Sequence, residues 1–298
     1  MLNFHSTTSR FGSGSTIIKA RGSEPITFEQ IERDTPSVFA QGKHDSRSDR
    51  YAYIDSRAVL TGLIREGFAP FEVRQGGSRD EQKRGFTKHM IRLRHTSKGA
   101  IQIGQRDQII PEVILLNSHD GTSSYRMIGG MFRIICTNGL IAGDAFDEVR
   151  VPHTGAVVDT VIEGAFRVIE SFPAMVDASE RWSAVRLSAD EERAYARSAA
   201  LLRWEPKTEN GIERDTTPIP YDDIVSSRRP GDQGNDLWRV FNRTQENLVR
   251  GGQHYVQRNE QGVRVARRTV REVNGIDQNR HLNRALWTLT EEMARLKA

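Results

Sequence analysis

IIPEVILLNSHDGTSSYRMIGGMFRIICTNGL, residues 109–140, is the stretch on which the reading of the fold turns. It contains Val113-Ile114-Leu115-Leu116, an apolar run that suits a buried strand. The polar residues Asn117 to Gly121 follow as a turn. Met127, Ile128, Met131, Phe132 and Ile135 then fall at spacings of three and four, which predicts a helix. Ser123 can cap its start, because a hydroxyl accepts from an otherwise orphaned backbone N–H. Asn138-Gly139 tolerates the left-handed conformation that closes a helix. Arg126, Gly129, Gly130, Arg133 and Thr137 follow one another along one side. Two glycines inside a helix cost roughly 1 kcal/mol each relative to alanine, so something has to offset them. Either a neighbour packs closely on bare backbone, or a phosphate backbone passes there between the arginines, or both.

Upstream, Thr27 to Glu32 reads as a short helix. Asp55 or Ser56 can cap another, with Val59, Leu60, Leu63 and Ile64 as its stripe and Gly67 as its end. Phe68 to Arg74 alternates, Phe71 and Val73 on one face, Glu72 and Arg74 on the other. After a charged connection, Lys88 to His95 places Ile91 and Leu93 together and opposes them with Lys88, Met90, Arg92 and Arg94. A strand face with two adjacent arginines is expected to stay wet or to meet anions. The predicted class is α+β: a helix–three-strand–helix core with an antiparallel sheet over residues 46–155. A Ser- and Gly-rich flexible arm is expected over 1–45.

Residues 156–298 read as a mostly helical region. Glu148 to Pro152 is a short strand or connector before it, and Val158 to Phe172 carries a helical stripe. Ser188 and Glu191 form a capping-box pattern for a helix to about Trp204. Residues 205–235 lack periodicity and read as a long loop or linker. Asp236 can start the next helix, residues 254–267 form a hairpin around Asn259 to Gly262, and a last helix spans about Ile276 to Leu296.

Hydrophobic residues make up 37% of the chain and mean hydropathy is −0.58, which predicts a broad wetted surface around a real core. The single cysteine, Cys136, excludes an internal disulfide framework and reads as a small core residue. No apolar run reaches the ~20 residues that span a bilayer, and the N-terminus lacks the apolar stretch of a signal peptide, so a cytoplasmic location and no membrane partner are expected. Net charge is only +4, yet basic residues cluster. Arg74 to Arg106 holds nine against Asp80 and Glu81; Arg250 to Ala285 holds eight against Glu260, Glu272 and Asp277. Such clustering is the electrostatic footprint of a nucleic-acid binder, or else a solvated face. It supplies Lys83, Arg84 and Lys88 as phosphate ligands from the first cluster, and Arg264 and Arg267 from the hairpin.

The chain has no P-loop, no dinucleotide glycine fingerprint and no GxSxG elbow, so no catalytic residue, cofactor or metal ligand is assigned. Ser118-His119-Asp120 cannot be a triad, because adjacent side chains do not converge, and its composition suits a turn. His119, Asp120 and Glu112 make a weaker set for a metal-dependent nuclease. His89 and His95 share a strand face but lie about 20 Å apart. Phe71 and Phe132 read as core; Phe86 and Tyr125, at element ends, are the candidates to stack bases.

PEVILLNSHDGTSSYRMIGGMFRIICTNGL, LWRVFNRTQENLVRGG and NRALWTLTEEM resemble segments of a bacterial family of phages, prophages and plasmids, domain of unknown function 932. The likeness covers roughly residues 40–295, and the family name implies no reaction. The order helix, three strands, helix, with Gly67-Phe68 at the first junction, is similar to the core of single-strand annealing recombinases. Those form rings and lay single-stranded DNA in a basic groove. That resemblance implies that Arg92 and Arg94 on the strand, with Arg126 and Arg133 on the helix, hold phosphates. The expected function is ATP-independent single-stranded DNA binding and annealing by a homo-oligomeric ring or filament. The alternatives are a mobile-element accessory protein that binds a host protein, and the nuclease.

Overall fold

The computed structural model describes residues 6–47, 51, 53–104, 107–134, 138–141, 148–151, 157–209, 211–259 and 261–298. In chain order the strands and helices are β1 (Ser6–Arg10), β2 (Thr16–Ala20), α1 (Phe28–Asp34), α2 (Ser56–Arg65), β3 (Phe68–Gln75), β4 (His89–His95), β5 (Ile101–Ile103), β6 (Asp107–Asn117), β7 (Arg126–Arg133), β8 (Asn138–Ile141), β9 (Val149–Arg150) and α3 (Val157–Glu170). They continue as α4 (Phe172–Ala184), α5 (Ala189–Arg203), β10 (Lys207–Glu209), β11 (Ile212–Arg214), α6 (Tyr221–Ile224), α7 (Leu237–Gln245), β12 (His254–Arg258), β13 (Arg264–Thr269) and α8 (Ile276–Leu296). The class is α+β with an antiparallel sheet, as the sequence predicts. The chain divides into two compact units: Met1–Ile101, Ile109–Phe132 and Ala145–Pro173 in the first; Gln102–Gln108, Arg133–Asp144 and Ala174–Ala298 in the second.

The first unit is built on strands in the order β1-β2-β3-β4-β6-β7, with β9 also paired to β7. Local chemistry sets its helices. Thr27 and Gln30 close a reciprocal capping box on α1, and the Asp55 carboxylate accepts from the Arg57 amide to start α2. Leu60, Leu63 and Phe68 are buried with Ile91, Leu93, Val113 and Leu115 in the core.

Two sequence expectations fail here, for stated reasons. The segment read as a flexible arm carries β1 and β2. Ile17 and Ile18 are buried, and β2 continues the ladder with Ile18 opposite Val73. Burial of β-branched residues outweighs the Ser/Gly composition around them. The double-glycine helix is instead the strand β7. Met127, Ile128, Gly129, Gly130 and Met131 are all buried, and a strand covered on both faces shows a continuous apolar run that mimics helical spacing. Ser123 therefore caps nothing, and Asn138-Gly139 opens β8 rather than closing a helix. Of the two explanations for the glycines, close packing is the one found. A Cβ on Gly130 would stand 2.6 Å from Ile114 Cδ1 and 3.1 Å from Arg92 Nη2. Gly130→Ala is expected to cost about 1–3 kcal/mol by overpacking, read as a lower midpoint in urea with an unchanged slope.

The second unit holds a cluster of Trp182, Trp238, Phe241 and Trp287, with the Trp182 and Trp287 rings 4.5 Å apart and the Trp182 and Phe241 rings 5.3 Å apart. α5 starts with the expected capping box of Ser188 and Glu191, and Asp236 caps α7. The stretch read as a long loop contains β10, β11 and α6. Its Asn210-Gly211 pair is a hairpin signal, and Gly211 has φ +76°. Helix α8 has the expected span.

Candidate nucleic-acid interface

The arginines expected to form a DNA trough are committed elsewhere. Arg92 Nε lies 2.5 Å from Glu112 Oε2, and Arg94 Nε lies 2.9 Å from Glu112 Oε1. The Arg92 and Glu112 side chains are 2% and 1% exposed. Arg94 is also sandwiched between Phe71 and Phe132, its guanidinium 4.2 Å and 3.9 Å from the ring centres. On β3, Arg74 Nε is 2.5 Å from Glu72 Oε1. Burial alone would raise the Glu72 carboxyl, but Arg74, Lys19 and Arg92 outweigh it and hold it at about 2. This strand face is therefore an internal ionic layer, not a wet surface. In the second unit Arg133 pairs with Asp107 and Asp232, and Asp107 also accepts from Trp238 Nε1 at 2.8 Å. Sequence reasoning misses these pairs because Glu112 and Asp232 lie far along the chain from their arginines.

The other expected residues fall as follows. Arg126 is partly exposed and 3.2 Å from Glu148 Oε1. Lys83 and Arg84 sit in a turn beside Asp80 and Glu81, at 3.9 Å and 2.9 Å. Lys88 is half-buried. Tyr125, just before β7, is buried and cannot stack a base. Phe86 is half-buried with its ring edge-on to His44, centroids 5.3 Å apart. Cys136 and Glu260 lie outside the described residues.

A buried polar group joins β4 to the turn after β6. The His89 and His119 rings are 5.2 Å apart, and Tyr53 lies 5.1 Å from His119 on centroids. Ser56 Oγ accepts from Asn117 Nδ2 at 3.2 Å and lies 3.5 Å from His89 Nε2. Burial, together with the neighbouring His119, pulls His89 down to about 3; burial pulls His119 down to about 4 against the opposing charges of Asp55 and Asp120. Both rings are therefore neutral at pH 7. The sequence reading weighs His89 only against His95, so this pairing escapes it. Glu112 is held by two guanidiniums, and Asp120 Oδ1 accepts from the Thr122 amide and hydroxyl. Among the described residues no group of three or more His, Cys, Asp or Glu is placed to hold a metal ion.

Exposed cationic chemistry survives on the hairpin of the second unit. β12 and β13 pair with Tyr255 opposite Arg268 and Val256 opposite Arg267. Asn259 closes the turn, its Oδ1 accepting from the Val263 amide at 2.8 Å. Opposite residues share a face, so Tyr255, Gln257 and Arg268 form one side. That side borders a cleft of about 400 Å³ with Arg203, Trp204, Pro218 and Arg271. Among the described residues three arginines and two aromatics line it, and no carboxylate does. Arg264 and Arg267 are exposed, and neither makes an ion pair among the described residues. Residues 250–271 hold six arginines against Glu260 alone. The sequence reading includes Arg264 and Arg267 but not Arg203, Trp204, Tyr255 or Arg271. Arg203 and Tyr255 are separated by about 50 residues, and no local pattern links them.

Among the described residues no helix is long and apolar enough to cross a membrane. No solved structure matches the chain. Two Escherichia coli K12 proteins are similar to it over 285 residues, each 44% identical and covering 96% of both chains: UPF0380 protein YfjQ and UPF0380 protein YafZ. Residues 43–287 match the family described as Domain of unknown function (DUF932). With that match across most of its length and those two relatives, the chain belongs to the DUF932 family.

Proposed function

We propose that this protein binds single-stranded DNA through the β12–β13 hairpin and the cleft beside it. The observation that carries the reading is the cleft's lining: Arg203, Arg268 and Arg271 with Trp204 and Tyr255, and no acidic side chain among the described residues. Cations supply affinity through counterion release, and aromatic faces accept bases of any sequence. Arg92, Arg94 and Arg133 take no part in this reading, since Glu112 holds the first two and Asp107 and Asp232 hold the third.

Anisotropy of a labelled oligothymidylate tests this across a salt series. Arg264→Ala with Arg267→Ala removes two phosphate contacts, and the slope of log affinity against log salt is expected to flatten by about 1.4. At about 0.1 M salt that change alone is roughly a 25-fold loss. An unchanged slope and affinity would remove the hairpin from the interface. Annealing of two complementary strands is a separate activity, to be read by a strand-pairing assay on the same protein.

One observation favours a second reading, a protein partner. Val256, Val263 and Val265 are 41%, 57% and 56% exposed on the same hairpin. Absence of oligonucleotide binding by the wild-type chain at low salt would leave that reading in place of the first.

A further inference from the structure

We infer that the cleft beneath the hairpin seats one unpaired nucleotide of a DNA strand, with Arg203 as the ligand of its phosphate. This rests on the single-stranded DNA reading and deepens it to one site. Arg203 ends α5 and turns its guanidinium toward Trp204, 5.0 Å from the ring centre. Its Nη2 donates to the Arg271 carbonyl at 2.5 Å. Its Nη1 is buried and has no hydrogen-bond partner among the described residues. No carboxylate pairs with it among the described residues, whereas the buried Arg92 pairs with Glu112 and the buried Arg133 with Asp107 and Asp232. A buried, unpaired cationic N–H is costly, and an arriving anion relieves that cost. Burial also draws the Arg203 guanidinium down to about 10, the direction that a bound anion would reverse.

The neighbours narrow the kind of anion. Arg268 and Arg271 add positive charge to the same cleft, and Arg268 is oriented by its Nε donating to Gln257 Oε1 at 3.0 Å. Trp204 and Tyr255 supply aromatic faces beside these cations. A volume of about 400 Å³ falls within the roughly 300–1,000 Å³ of small-ligand sites, room for one nucleotide rather than a duplex. Within a duplex the base faces are stacked on their neighbours, so only an unpaired nucleotide presents both its phosphate and a free base face to such a site.

The test measures binding of a labelled 12-nucleotide oligothymidylate to the full chain and to Arg203→Gln, Arg203→Lys and Arg271→Gln. Parallel arms use deoxythymidine monophosphate, a 12-base-pair duplex, and an abasic 12-nucleotide strand. Arg203→Gln is expected to weaken strand binding about tenfold or more and to flatten the salt slope by about 0.7, one single-strand phosphate. Arg203→Lys should recover part of the loss. Wild type should prefer the strand to the duplex and to the abasic strand, and Trp204→Leu should abolish the second preference. Wild type binding the strand while Arg203→Gln binds it equally well overturns the Arg203 assignment and leaves the DNA reading standing. Monophosphate binding as tight as the strand overturns assignment of the site to a polymer. No strand binding by wild type sinks the DNA reading itself. If Arg203→Gln does not fold, Arg271→Gln, on an exposed side chain at the same cleft, carries the comparison: an unchanged slope overturns the site.

Discussion

Glu112→Gln is expected to destabilise the first unit by about 3–5 kcal/mol, although the substituted side chain has nearly the same shape. Glu112 is the shared partner of Arg92 and Arg94, at 2.5 Å and 2.9 Å, and is almost fully enclosed. Removing its charge deprives Arg92 and Arg94 of the carboxylate they share, in a place water barely reaches. Arg92 cannot swing out, because its Nη2 lies against the Gly130 backbone and within 3.4 Å of the Met131 carbonyl. Urea unfolding followed by far-ultraviolet circular dichroism reads the effect. A triple replacement, Arg92→Met, Arg94→Met and Glu112→Leu, should be less destabilising than the single change, because it leaves no buried charge alone. A loss below about 1 kcal/mol for Glu112→Gln would mean that this layer is hydrated in solution.

The second large effect is acid lability centred on His89 and His119. An unfolded imidazole titrates near 6.5, whereas burial holds these two at about 3 and about 4. Between those limits the unfolded chain binds protons that the folded chain refuses. Stability therefore falls as pH drops from about 6.5 toward 4, and these groups have no effect above pH 7.5. Each contributes about 1.4 kcal/mol per pH unit, so by pH 5 the pair costs about 4 kcal/mol. His119→Leu should remove roughly half of the slope between pH 6.5 and 5, measured as urea stability at fixed salt. An identical slope in that variant would place the acid sensitivity elsewhere.

How much of this was readable in advance depends on range along the chain. Helix starts at Asp55, Ser188 and Asp236 are set by hydrogen bonds within three residues, and each is found where the sequence puts it. The arginine hairpin was legible for the same reason: a turn between two alternating runs. β7 was not, because five consecutive buried residues carry no period that separates strand from helix. Burial of Arg92 and Arg133 was also hidden. Their side chains look solvent-bound until Glu112, Asp107 and Asp232 arrive from elsewhere. The cleft repeats that lesson, since Arg203 and Trp204 end one helix and Tyr255 and Arg268 belong to a hairpin some fifty residues later.

All four tryptophans belong to the second unit, three of them in the Trp182–Trp238–Trp287 cluster and one, Trp204, lining the cleft. Indole emission is thus an optical signal from one half of the molecule. An emission-monitored melt reports the surroundings of these indoles, whereas the unit that holds the paired imidazoles carries no tryptophan. The same partition is useful: with three indoles shielded, quenching by a titrated oligonucleotide reads out on a single chromophore, and a Trp204→Phe protein is its blank.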